Sequence, residues 1–127
     1  MVRVMVVDDE EDIAISIKMG LEAKGFTVDA FDNPAEALAN FKAGCYDMLL
    51  SDIKMPDMSG FDLYREVKKI DDKIKVAFIT AFEIYEDEFR KVLPSIDVKC
   101  FIQKPISMSD LATRINEELA KEEITLS

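Results

Sequence analysis

Three short segments, Val4-Met5-Val6-Val7, Met48-Leu49-Leu50 and Val76-Ala77-Phe78-Ile79, are apolar without interruption. A strand with one wet face alternates apolar and polar residues. A strand that is apolar at every position has to be covered on both faces, and central strands of parallel sheets meet that condition. Five strand candidates follow along the chain: Val2–Val7, Phe26–Phe31, Tyr46–Ser51, Lys75–Thr80 and Val98–Gln103. Amphipathic segments separate them. Ile13, Ile17 and Leu21 mark one face of a helix from Glu11 to Lys24, closed by Gly25. Asn33-Pro34 with Glu36 supplies a cap, a first-turn proline and an early acid for a second helix that stops near Gly44. Leu63, Val67 and Ile70 line a third. Phe89, Val92 and Leu93 line a fourth, stopped by Pro94. Met108, Leu111, Ile115 and Leu119 line a fifth, capped by Ser107 or Ser109.

Five alternating strand–helix pairs predict a single-domain α/β fold, a doubly wound five-stranded parallel sheet with helices on both faces. In such folds the functional groove lies outside the carboxyl ends of the strands. A length of 127 residues suits one domain. An apolar fraction of 49% is enough to build its core. No segment approaches the roughly 20 apolar residues of a membrane-spanning helix, and the N-terminus runs straight into a strand-like segment, so a cytoplasmic location is expected. Sixteen basic against 26 acidic residues give a formal charge of −10, which disfavours direct binding to nucleic acid. Cys45 and Cys100 have no metal-ligand spacing, and the absence of histidine removes His-based nucleophiles and most zinc sites from this chain.

Four strand candidates end in polar residues: Asp8-Asp9, Asp52, Thr80 and Lys104-Pro105. Taken singly, each has a plain structural reading. Asp8 or Asp9 can cap the first helix, Asp52 can open the turn-rich segment Ile53-Lys54-Met55-Pro56-Asp57-Met58-Ser59-Gly60, Thr80 can simply end its strand, and Lys104 can be a solvated charge. Taken together they converge on one sheet edge. Carboxylates gathered there repel one another unless a countercharge is present. Lys104 supplies one, and a hard divalent cation supplies the rest. Mg²⁺, with Mn²⁺ as a substitute, takes about six oxygen ligands and combines one or two carboxylates with phosphate oxygens and water. Asp9 and Asp52 suit direct ligation and Asp8 a water-mediated contact. A carboxylate set between a metal, a lysine and a hydroxyl is also a nucleophile toward phosphorus.

The ordered set resembles the receiver domain of two-component response regulators, over almost the whole chain. Val7-Asp8-Asp9-Glu10 looks like that family's metal-binding acid pair. Asp52 and the loop after it, with its Met-Pro and Gly, look like the phosphoacceptor segment. Thr80-Ala81 looks like the switch hydroxyl, and Lys104-Pro105 like the essential lysine with its cis peptide bond. The resemblance implies a CheY-like receiver over residues 1–123 with a short tail at 124–127 and strand order 2-1-3-4-5. It implies a Mg²⁺ ligand from the Lys54 backbone carbonyl and a switch aromatic at Phe101. It further implies a histidine kinase or phosphotransfer protein as donor in trans, and a protein effector that reads the surface of the fourth helix, fifth strand and fifth helix. An activation-linked dimer rests on the resemblance alone. The expected chemistry is phosphoryl acceptance, with self-phosphorylation from small donors and self-dephosphorylation, rather than enzymatic turnover.

Three competing readings are weighed. A degenerate receiver would bind partners without taking phosphate. An aspartyl-phosphate phosphatase would want an acid two residues after Asp52, where Lys54 stands. A nucleotide or flavin binder would want glycines in the first loop, where Asp8-Asp9-Glu10-Glu11 would repel phosphate instead.

Overall fold

The computed structural model describes residues 2–80, 101–103 and 106–126. A five-stranded parallel sheet forms its centre, in the order β2-β1-β3-β4-β5. The elements run β1 (Arg3–Val7), α1 (Glu11–Glu22), β2 (Thr27–Phe31), α2 (Pro34–Asn40), β3 (Met48–Asp52), α3 (Gly60–Ile70), β4 (Lys75–Thr80), β5 (Phe101–Gln103) and a last helix, Met108–Leu126. The predicted fourth helix, with Phe89, Val92 and Leu93, and the start of the fifth strand candidate lie outside the described residues.

The uninterrupted apolar runs are explained by the two faces. Val4, Val6, Met48, Leu50, Ala77 and Ile79 point into a cluster with Ile17 and Leu21 of α1 and Leu111 and Ile115 of the last helix. Met5, Val7 and Leu49 point the other way, into a cluster with Ala37 of α2, Leu63 and Val67 of α3, Phe41 and Ile74. Side chains alternate across a strand, so covering both faces demands an apolar residue at every position. Burial of each large side chain contributes about 1.5–3 kcal/mol. Among the described residues no helix is long and apolar enough to cross a membrane.

Local signals set several helix ends. Asn33 Oδ1 accepts from the N–H groups of Ala35 and Glu36, at 2.8 and 3.2 Å, with Pro34 following in the first turn. Of the two candidate caps of the last helix, Ser107 serves: its Oγ accepts from Asp110 N–H at 3.1 Å. Gly25 has a φ of 96°, the left-handed conformation that closes α1; helix proper ends at Glu22, and turn residues occupy the last positions before the glycine.

Two expectations are corrected by packing. The second helix stops at Asn40 rather than near Gly44, because Phe41 turns extended and buries its ring against Tyr46, with centroids 5.8 Å apart. Ile70 does not line the core face of α3. It is 45% exposed at the helix end, and Ile74 from the following turn fills the buried position.

Tyr46 also closes the sheet at the strand starts. Its hydroxyl donates to Asp29 of β2 at 2.7 Å, and the Arg3 guanidinium lies 5.6 Å from its ring centre. Burial, reinforced by the bond to the Asp29 carboxylate, pushes its pKa up to about 12. In the unfolded chain the phenol ionises near 10. The stability it contributes is therefore complete below about pH 10 and is lost as pH rises toward about 12. Chemical denaturation across that interval should show a steeper decline in the wild type than in Tyr46→Phe. Parallel declines would show that this phenol does not carry the effect.

Candidate functional site

Strand register brings the acids together. β1 and β3 are adjacent, with Val7 opposite Ser51, so the residues that leave their carboxyl ends meet in space. From β1 the chain goes on to β2 on one side, and from β3 to β4 on the other. That reversal opens a crevice at the β1/β3 end, where doubly wound sheets hold ligands. One oxygen each from Asp8, Asp9 and Asp52 lies within 4.8 Å of the others.

The three carboxylates are held differently. Asp8 is fully buried, its backbone N–H bonded to Phe31 O at 3.1 Å. Its Oδ1 accepts from Glu10 N–H at 2.9 Å, tying it into the turn that enters α1. The N-cap position of α1 belongs to Glu10, whose side chain makes no capping bond. Neither aspartate therefore serves as the helix cap that the plain reading would make of it. Asp9 is exposed. Asp52, the last residue of β3, is partly buried, and its Oδ1 accepts from Ile53 N–H at 2.7 Å.

The segment after Asp52 folds back onto the strand. Gly60 N–H donates to Ile53 O at 2.8 Å, and a Cβ at Gly60 would collide with the Asp52 carbonyl oxygen. The loop between is tight. Met58 N–H donates to Pro56 O at 2.7 Å around Asp57, whose φ is 68°; aspartate tolerates that conformation better than most residues. Ser59 then caps α3 in a reciprocal box with Asp62. Met55 and Met58 pack on the α2/α3 side of the core. Lys54 sits exposed in this loop.

Beside the carboxylates lies a groove of about 300 Å³, lined in part by Asp9, Asp32, Asn33, Pro56, Asp57 and Met58. Asp32, directly after β2, is a further acid at the same sheet edge that the sequence reading passed over. It follows a strand that Thr27 and Asp29 make partly polar, so it lacks the uninterrupted apolar run that made Asp8 and Asp52 conspicuous. Thr80 ends β4 with its backbone paired to Gln103, and Phe101 begins β5 opposite Phe78. Lys104 and Pro105 lie outside the described residues.

A hard cation fits this donor set. Carboxylate oxygens are ligands of choice for Mg²⁺, and three that lie within 4.8 Å of one another could hold such an ion directly or through water. The third carboxylate and the buried position of Asp8 favour a divalent over a monovalent countercharge, since charge repulsion in a partly dry groove is weakly screened.

Residues 4–116 match the response regulator receiver domain family. The response regulator receiver protein CpdR of Brucella abortus (strain 2308) is 33% identical over 119 residues, covering 94% of this chain and 98% of that protein. A CheY-like receiver domain protein of Methanospirillum hungatei JF-1 superposes with a TM-score of 0.85 at 29% identity, over 98% of both chains. TrrA of Thermotoga maritima, solved in complex with Mg(2+)-BeF, gives 0.77 at 31% identity, over 92% of this chain and 98% of that one. Other curated relatives are longer: the chain spans 13% of a sensor kinase and about half of several transcriptional regulators.

The fold-back at Gly60 makes an unusual stability prediction. Glycine to alanine inside a helix end is ordinarily neutral or favourable. Here the added methyl meets main chain that cannot swing aside. Gly60→Ala should lose about 1–3 kcal/mol in urea unfolding, the usual cost of forced overpacking. A gain in stability would show that the loop yields.

Proposed function

The chain belongs to the response regulator receiver domain family, and on that footing we propose that it is a phosphorylation-controlled switch whose acceptor is the Asp52 carboxylate. Phosphorylation-dependent switching is general to that family, and its receivers bind Mg²⁺ at an acidic pocket. The observation that carries the reading to this chain is the meeting of the Asp8, Asp9 and Asp52 carboxylates within 4.8 Å at the switch point of the sheet. Three carboxylates drawn together, one of them fully buried, repel one another and serve no packing purpose.

Asp8, Asp9, Asp52 and the Lys54 backbone carbonyl would hold the metal, directly or through water. Bound there, Mg²⁺ supplies the positive charge that offsets the carboxylates and the oxygens of the arriving phosphoryl group. An Asp52 carboxylate oxygen attacks phosphorus. A new P–O bond forms as the P–N bond of the donor's phosphohistidine breaks, and the imidazole leaves with the electron pair. Lys104 takes another phosphoryl oxygen as its countercharge. The donor is a histidine kinase or phosphotransfer protein acting in trans, since this chain has no histidine.

After transfer, the Thr80 hydroxyl turns onto the phosphoryl group and Phe101 rotates into the space vacated; the Lys104–Pro105 peptide bond is cis in this reading. The altered face around the fifth strand is then read by a protein effector, a shift between two pre-existing states. The receiver is assigned to residues 1–123, and the reading implies a cytoplasmic protein. A phosphate-independent binding module is the alternative.

Intact-protein mass spectrometry after incubation with acetyl phosphate separates the two readings. One added phosphoryl group is expected, dependent on Mg²⁺ and absent in Asp52→Ala. No adduct under conditions where Mg²⁺ demonstrably binds would favour the phosphate-independent module. The exposed Lys54 side chain shields the phosphoryl group from water in this scheme. Lys54→Asn should lose its label faster than the wild type, and equal lifetimes would remove Lys54 from that role.

A further inference from the structure

Two polar residues are fully buried among those described, Asp8 and Ser51. Asp8 belongs to the carboxylate cluster. Ser51 has no part in the chemistry above, yet it interrupts a strand whose preceding residues, Met48, Leu49 and Leu50, are apolar and completely covered. Burying a hydroxyl costs free energy unless it finds a partner, and an aliphatic residue would have packed there without that demand. The partner is the backbone of the next residue: Ser51 Oγ donates to the Asp52 carbonyl oxygen at 2.8 Å.

That carbonyl and the Ile53 N–H belong to one planar peptide unit, so they turn together. The N–H end donates to Asp52 Oδ1 at 2.7 Å. The same carbonyl is closely approached by the backbone of Gly60, which is tied to Ile53 O at 2.8 Å. One peptide plane is therefore gripped by a buried hydroxyl at its carbonyl and grips the carboxylate with its amide.

We propose that Ser51 is a positioning residue for phosphoryl acceptance: its hydroxyl fixes the Asp52–Ile53 peptide plane, and the Ile53 N–H of that plane sets the orientation of the Asp52 carboxylate. The inference rests on Asp52 being the phosphoacceptor. In-line attack on phosphorus requires the reacting oxygen to be held near contact distance and correctly aimed, and displacements of about 1 Å cost on the order of 100-fold in rate. Without the hydroxyl, the plane loses one of the contacts that limit its rotation about the Asp52 Cα–C bond, and the hold of the amide on Oδ1 loosens.

Ser51→Ala tests this with two readouts, neither of which a purely structural role would move in the same way. The first is the Ile53 amide proton in a ¹H–¹⁵N spectrum, which a short bond to carboxylate deshields; it should move upfield in the variant. The second is the rate constant for labelling by acetyl phosphate at saturating Mg²⁺ and donor, where a P–O bond to Asp52 forms and acetate departs with the electron pair of the broken P–O bond. It should fall about tenfold, a partial loss of alignment, while the melting curve stays cooperative. A labelled wild type with an equally fast Ser51→Ala, or an unmoved Ile53 amide, overturns the positioning role alone. A wild type that takes no phosphoryl group overturns the acceptor reading and this role with it. Should Ser51→Ala fail to fold, Ser51→Cys, closer in size and a weaker donor, is judged by the same two measurements.

Discussion

The lateral pairing of β1 with β3, with Val7 opposite Ser51, is the contact on which the site depends. It sets two carboxyl strand ends side by side and thereby forces Asp8, Asp9 and Asp52 into a shared volume. Three like charges in a partly desolvated space oppose folding. The opposition is met by the two apolar layers behind them, which bury Val4–Val7 of β1 and Met48–Leu50 of β3 on both faces. The hydrophobic sheet thus holds in place a cluster that electrostatics alone would disperse. A slip of one residue would turn the whole apolar set of a strand toward the opposite layer and undo the convergence.

Around that cluster the main chain, more than the side chains, determines the geometry. Asp8 is oriented by Glu10 N–H and Asp52 by Ile53 N–H. The loop after Asp52 returns at Gly60 onto the Asp52 carbonyl itself, a closeness only a residue without Cβ permits. The capping box of Ser59 and Asp62 then starts α3 immediately, and Leu63 and Val67 anchor that helix on the sheet. Core packing and the geometry at Asp52 are consequently linked through a few residues of loop.

Much of this was readable from residue order. The three uninterrupted apolar runs announced a sheet covered on both sides, and the strand-end acids announced where its carboxylates gather. Helix starts at Pro34 and Met108 followed from short-range capping chemistry that needs no tertiary partner. Misjudgements arose where a distant neighbour overrode a local pattern. Phe41 leaves the helical path to stack on Tyr46, and Ile70 yields its place in the core to Ile74. Asp32 and Ser51 passed unremarked because each looks ordinary in sequence, one a loop acid and the other a small residue in a strand.

What the sequence determined by itself is the alternation of elements, the two-faced burial of the central strands and the identity of the acids at their ends, because periodicity and residue type act over a few positions. Periodicity alone did not say which strands lie side by side, since pairing joins segments more than 40 residues apart, as Val7 and Ser51 are; the order 2-1-3-4-5 came from the resemblance and is the one the sheet adopts. The gathering of the carboxylates within 4.8 Å follows from that pairing, while the fit of Gly60 against Asp52 and the bond from Ser51 to the Asp52 carbonyl follow from the path the chain takes as it leaves β3. Their exact geometry depends on how chain segments meet in space, which residue types along the sequence do not specify, so only the folded structure supplies it.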